Sequence, residues 1–226
     1  MLNVLVACEY SGTVRDAFIK LGHKAMSCDL LDTDVPGPHY KGSVFDIINE
    51  DWDMMIAHPP CTYLAVSGAR WFYHPDDKDL DVKDRRPHPK YPNRSKDRED
   101  AIEFFLRLYN SDIPMIAIEN PIGVMSSSFR KPDQIIQPWQ YGDTATKTTC
   151  LWLKNLPQLK PTNVVDKGER VYFGSGKSHP KWYADALKLD KQERMKARSK
   201  TFSGIANAMA KQYSEYSKIY FANSQS

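Results

Sequence analysis

Cys61 closes the run Asp53-Met54-Met55-Ile56-Ala57-His58-Pro59-Pro60-Cys61. The apolar stretch reads as a buried strand. The two prolines then fix an extended turn that holds the next side chain at the sheet edge. A cysteine held there can serve as a thiolate nucleophile when positive charge or hydrogen bonding lowers its pKa. Taken alone, the same arrangement also fits an inert, buried cysteine. A second run, Met115-Ile116-Ala117-Ile118-Glu119-Asn120-Pro121, repeats the design of apolar strand, polar pair and proline. Glu119 is poised there as an acid or a hydrogen-bond partner. Alone, it fits equally well a surface residue capping a turn.

These residues need elements to position them. Leu2 to Ala7 reads as a first strand and Val14 to Leu21 as a helix with Ala17, Phe18 and Leu21 on one side, ended by Gly22. Strands are expected at 24–28, 52–57 and 115–118, with a helix at 101–109 between the last two. Alternation of this kind predicts an α/β fold with a mostly parallel central sheet and helices on both faces. Ligands bind beyond the carboxyl ends of such strands, so Glu9, Asp29, Cys61 and Glu119 are expected along one edge. The later chain is less regular. Thr149 to Leu153 and Arg170 to Phe173 look like strands, Thr201 to Tyr213 like a closing helix, and the tail FANSQS is expected to fray.

The 226 residues suffice for one domain with a real core. Hydrophobic residues at 41% and charged residues at 26% give an ordinary globular balance, with no run long enough for a membrane span. The N-terminus lacks a basic leader, so no signal peptide is expected. A formal charge of +3 does not by itself argue for nucleic acid. Cys8, Cys28, Cys61 and Cys150 have no C-x-x-C spacing. That excludes zinc and thioredoxin-like readings, leaves no metal expected, and suits a reducing cytoplasm. Residues 74–98 are dense in charge and proline. They should bury little and form a mobile loop, either a solvated insertion or a lid over the site.

Pro60-Cys61 and Glu119-Asn120 together resemble the catalytic-loop and core-strand pairs of the DNA cytosine-5 methyltransferase family, and the whole pattern its small phage- or prophage-type members. The resemblance implies a Rossmann-like S-adenosylmethionine-dependent methyltransferase fold. It implies that S-adenosylmethionine is the cofactor, leaving as S-adenosylhomocysteine. The first strand and loop, Ala7, Glu9, Tyr10, Ser11 and Gly12, would line the cofactor pocket. Asp29 would hold the ribose hydroxyls beside Leu30. Asp46, or alternatively Ser43, would face adenine. His58, Pro59 and the Asn207 of Ser203-Gly204-Ile205-Ala206-Asn207-Ala208 would complete the pocket. The chain departs from the family in having one glycine in its first loop. Lys147 stands where a base-contacting arginine is usual. A small basic insertion, residues 154–200, occupies the place of a long target-recognition domain.

The chemistry implied is covalent. Cytosine is a poor carbon nucleophile at C5, and a thiolate added at C6 makes C5 enamine-like. Cys61 would supply the thiolate. Glu119 would hold N3 and the amino group and donate a proton, its pKa expected to be raised by burial. Asn120 would fix the loop. For duplex DNA the base must flip out. Lys177, Lys181, Trp182 and Arg198 lie in the basic insertion as candidate contacts to nucleic acid, although a solvated charged face reads as well. Gly174-Ser175-Gly176-Lys177-Ser178 is not a phosphate loop, because its first glycine would fall at Val171. Three other readings compete. An amino methyltransferase would need an amide or acid and an aromatic around the two prolines. A free-nucleotide enzyme would act on dCMP or dCTP. A catalytically silent member would bind a partner or act as a decoy. A protein partner is a further possible source of sequence specificity, and protection of a viral genome is a role the resemblance suggests.

Overall fold

The apolar runs become strands because both faces of the sheet are covered. The computed structural model describes residues 1–223. Its central sheet contains β1 (Asn3–Ala7), β2 (Lys24–Asp29), β3 (His39–Lys41), β4 (Met54–Ala57), β5 (Met115–Asn120), β6 (Gln134–Ile136) and β7 (Thr149–Lys154). Their spatial order is β3-β2-β1-β4-β5-β7-β6. The first five are mutually parallel, and β7 runs antiparallel to β5 and β6. This is a Rossmann-like, mostly parallel α/β sheet, as the alternation implied. Short strands β3 and β6 at the sheet margins carry too few apolar residues to stand out in the sequence.

Side chains alternate between two cores, as strand geometry requires. Val4, Val6, Met54, Ile56, Met115 and Ala117 pack with α1 (Thr13–Lys20) and the last helix, α6 (Ser203–Asn223). Leu5, Ala7, Met55, Ala57, Ile116 and Ile118 pack on the opposite face with Phe105 and Leu108 of α2 (Arg94–Tyr109). Between α2 and α6 lie α3 (Met125–Ser128), the hairpin β8 (Arg170–Tyr172) and β9 (Ser178–Pro180), α4 (Lys181–Ala186) and α5 (Lys191–Ser199). The chain runs outward from β1 through β2 to β3, then returns to β4 on the other side of β1. In open α/β sheets such a reversal is the switch point beside which ligands bind.

Several boundaries differ from expectation. α2 begins seven residues earlier, at Arg94, and α6 runs ten residues further, to Asn223. The expected frayed tail is therefore helical at Phe221, Ala222 and Asn223, while 224–226 lie outside the described residues. Segment 74–98 also buries more than its composition suggested. Asp77, His88 and Arg94 are buried there. Asp77 accepts from the Arg86 backbone N–H and from two of its guanidinium nitrogens, at 2.6–2.9 Å. Trp71, His88 and Tyr91 form a ring cluster. Paired charge and aromatic stacking do there what apolar side chains do elsewhere.

Candidate active site

The loop after β4 is set by its neighbours. The His58 N–H donates to Ala7 O at 2.9 Å, continuing the parallel ladder by one residue. Pro59 and Pro60 then withhold donors. Leu64 and Ala65 N–H groups both turn back onto Cys61 O, closing a tight turn with Cys61 at its exposed start. Three contacts fasten this turn. Asn120 Nδ2 donates to Pro59 O at 2.8 Å. Arg94 donates to Thr62 O at 2.9 Å, its guanidinium lying 5.0 Å from the ring centres of both Tyr63 and Phe72. Val124 N–H donates to Leu64 O. Gly123 is required at this crossing, because a Cβ there would meet Leu64 O at 2.1 Å.

Glu119 stands at the end of β5, one strand from Cys61. Its Oε2 lies 3.2 Å from His58 Nδ1. The expectation of a raised pKa is not met. Burial pushes the carboxyl up, but the hydrogen bond from His58 and the charges of Lys147 and His58 pull it down further. The net position lies below the ordinary glutamate value, so Glu119 is ionised at neutral pH. Cys61 shifts the other way. Although the residue as a whole is exposed, protein crowded around the sulfur and the Glu119 charge push its thiol up, against Lys147, a backbone hydrogen bond and Arg198. Cys61, Glu119, His58, Lys147 and Arg198 thus act on one another electrostatically at the carboxyl edge of the sheet.

The loops after β1 and β2 form the other half of the edge. Ala7 is buried at the end of β1, and Cys8 follows at φ 59°, a left-handed conformation that glycine adopts more easily. Glu9 is buried, and its carboxylate accepts from Val14 N–H at 2.7 Å, Arg15 N–H at 3.2 Å and the Ser11 hydroxyl at 3.1 Å. It therefore caps α1, where a contact to cofactor was expected. Gly12 precedes the helix at φ 70°. The buried Arg15 reaches Ser27, Thr33 and the carbonyls of Val35 and Pro36, shaping the loop after β2. Asp29 accepts from Leu31 N–H, and Leu30 is 73% exposed. Asp46 and Ser43 share one capping box, and Asp46 also accepts from the Tyr40 hydroxyl. Asn207 is exposed on α6, whose start is capped by Asp143 through Gly204 N–H at 2.8 Å.

The insertion crosses this edge. Trp182 donates its indole N–H to Thr146 O and packs edge-on against Phe202. It anchors the insertion to the loop before β7, and its half-buried ring already has partners. Lys147 Nζ donates to Lys200 O. On the other side the Tyr10 hydroxyl meets Ser199 Oγ at 2.7 Å and Lys196 O at 3.2 Å, and Lys196 pairs with Asp34 at 2.8 Å. Residues 196–200 thus bridge the loop after β1 and the loop before β7. Arg198 stacks 4.8 Å over Tyr183, Lys181 pairs with Asp185, and Lys177 is exposed on the β8–β9 turn.

Sequence reasoning missed Arg94 and Asp34 as site-shaping residues, and it missed the contact between His58 and Glu119. The first two, Arg94 at the start of α2 and Asp34 in the loop after β2, lie in stretches whose charges carry no pattern. The third follows from the register of β4 against β5, which periodicity alone does not provide. A separate cavity of about 540 Å³ opens at the opposite, amino edge of the sheet, beside Asn3, His23, Lys24 and Trp52. None of the residues named above for chemistry lines it.

Similar solved structures include a protein described as a DNA modification methyltransferase encoded within an E. coli prophage. It has a TM-score of 0.44 and 13% identity, over 74% of this chain and 52% of that one. The S. pombe Dnmt2 methyltransferase has a TM-score of 0.39 and 14% identity, over 70% and 50%. A triple mutant of Spodoptera frugiperda DNMT2 has a TM-score of 0.38 and 14% identity, over 74% and 55%. The chain spans about half the length of these proteins. No family model and no curated protein matches it in sequence. No helix among the described residues is long and apolar enough to cross a membrane.

Proposed function

We propose that the chain methylates C5 of cytosine in DNA through a covalent adduct between Cys61 and C6. The observation that carries this reading is the stitched pair of loops. Asn120 joins the Glu119 strand to the turn that presents Cys61, and the Glu119 charge acts on the Cys61 thiol. A nucleophile and an ionisable carboxyl held in fixed relation at a strand edge suit addition across a polarised ring.

The other half of the edge fits S-adenosylmethionine better than a dinucleotide. The amino end of α1 would attract a pyrophosphate, but Glu9 already fills it. Acidic groups at Asp29 and around Tyr10 suit ribose hydroxyls and a cationic sulfonium. Ala7, Tyr10, Ser11, Gly12, Asp29, Leu30, His58 and Pro59 would line that pocket, with Asp46 or Ser43 and Asn207 at its margins. The cofactor, when bound, supplies the methyl group.

Cys61 gives its proton to solvent water at its exposed position and, as the thiolate, bonds to C6 while Pro60 keeps the sulfur at the rim. Glu119 holds N3 and the exocyclic amine. Lys147 steadies the negative charge that gathers between them. Lys177, Lys181 and Arg198 on the insertion supply cations for the nucleic-acid backbone, and a protein partner would add sequence specificity. Labelled S-adenosylmethionine offered with DNA, dCMP or dCTP tests this. Label should reach cytosine in DNA, and be lost in Cys61→Ala and Glu119→Ala. Label on a free nucleotide alone would move the reading to a nucleotide enzyme. 5-Fluorocytosine DNA should trap the chain covalently at Cys61, because the fluorine blocks the last elimination.

A further inference from the structure

His58 faces Glu119 across the β4–β5 pair. The parallel register sets Ala57 beside Ile118, so the next residues, His58 and Glu119, are level. Nδ1 and Oε2 lie 3.2 Å apart, on side chains only 9% and 14% exposed. At the other end of the ring, Nε2 is buried and has no hydrogen-bond partner. A buried imidazole with one nitrogen on a carboxylate and the other unsatisfied is a poor packing element, since an apolar residue would fill the space without that cost. Such an arrangement suits a group that takes up and gives back a proton.

We infer that His58 is a positioning residue for Glu119: its Nδ1 contact aims the carboxylate and keeps beside it the proton that Glu119 passes to the target base. This rests on the cytosine reading. An ionised Glu119 has no proton of its own to give, and Lys147 and His58 both favour the ionised form. His58 Nδ1, 3.2 Å from Oε2, is the titratable group placed to hand it one.

The pair begins with one proton, as imidazolium and carboxylate. The Cys61 thiolate forms the bond to C6, the C5=C6 π pair moves to C4–C5, and the C4=N3 pair moves onto N3. His58 Nδ1 passes its proton to Glu119, which passes it on to N3, leaving imidazole and carboxylate. C5 takes the methyl group with the C4–C5 pair and C4=N3 re-forms. The C5 proton then leaves to solvent water, C5=C6 re-forms as Cys61 departs as thiolate, and N3 returns its proton to the pair. The other titratable groups around the pair are Cys61 from the β4 loop, Lys147 before β7, Cys150 on β7 and Arg198 from α5.

Two measurements test the inference. ¹⁵N NMR of the histidine rings on the protein alone should show His58 Nδ1 carrying a hydrogen-bonded proton, a signature that Glu119→Gln changes. An unchanged signature overturns the pair. In the transfer assay, His58→Asn keeps an N–H donor near the Nδ1 position but does not titrate. Its kcat should fall roughly tenfold to a hundredfold at pH 8 and recover toward acid. His58→Leu should not recover at any pH. A His58→Asn profile parallel to that of the native chain overturns the proton role. No transfer by the native chain to any cytosine substrate would defeat the cytosine reading, while the NMR signature would still decide whether the pair shares a proton.

Discussion

Glu9 offers a sharp test, because a cap and a cofactor contact predict different things. Its buried carboxylate accepts two backbone N–H groups of α1, at 2.7 and 3.2 Å, and one hydroxyl. In Glu9→Ala both N–H groups lose their partner away from water. Loss of a helix cap costs ~0.5–2 kcal/mol, and a stranded buried donor costs ~1–3 kcal/mol. These overlap, so ~2–4 kcal/mol is expected for the whole change. At ~2–4 °C per kcal/mol for a chain of this size, the melting temperature should fall by about 4–16 °C. Glu9→Gln keeps an acceptor and should lose roughly half as much. The assay is urea unfolding without cofactor, followed by circular dichroism, with the slope checked for constancy. A change under ~0.5 kcal/mol in Glu9→Ala without cofactor would refute the cap, and would return Glu9 to the cofactor pocket.

Other outcomes follow from single contacts. Asp77 is held at about 2 by hydrogen bonds from the Arg86 side chain and backbone. Its pKa is depressed on folding, so its contribution is complete above the ordinary aspartate value of 3.8 and is lost as pH falls through about 2. Trypsin cleavage within 74–98, assayed after brief acid exposure and rapid neutralisation, should report transient opening there, and Asp77→Asn should make the segment open at neutral pH. Gly204→Ala puts a Cβ 2.0 Å from Tyr141 O and 2.7 Å from Asp143 Oδ2. It should cost ~1–3 kcal/mol, read by the same urea titration. Lys147→Gln removes a cation that lowers the Cys61 thiol pKa. Iodoacetamide alkylation of Cys61 should then need higher pH, and an unchanged profile would place Lys147 too far away to matter.

The inner strands were legible because they carry unbroken apolar runs. β1, β4 and β5 are buried on both faces, and Val4 to Ala7 or Met115 to Ile118 admit few other readings. β3 and β6 were hidden because each is three residues long at the sheet margin. Prolines after β4 and β5 located Cys61 and Glu119, since a proline ends a strand wherever it falls. The protonation state of Glu119 could not be read in the same way. Burial, visible as an apolar run, argued for a raised pKa, while the opposing groups His58 and Lys147 come from 61 residues before it and 28 after it. The start of α2 was lost for a similar reason. Arg94 and Arg98 look solvated by type, yet their guanidinium groups lie 5.0 and 3.4 Å from the Phe72 ring centre.

The crossing of Gly123 beneath Leu64 has a mechanical consequence. Together with the Asn120 and Val124 contacts, it leaves the turn bearing the sulfur and the strand bearing the carboxyl little freedom to separate. They should rock as one block against the 181–200 arm, which rests on Tyr10, Asp34 and Thr146 through a few polar latches. A designer wishing to admit a bulkier or differently shaped target would therefore rework the arm, and leave the spacing of the reacting groups untouched.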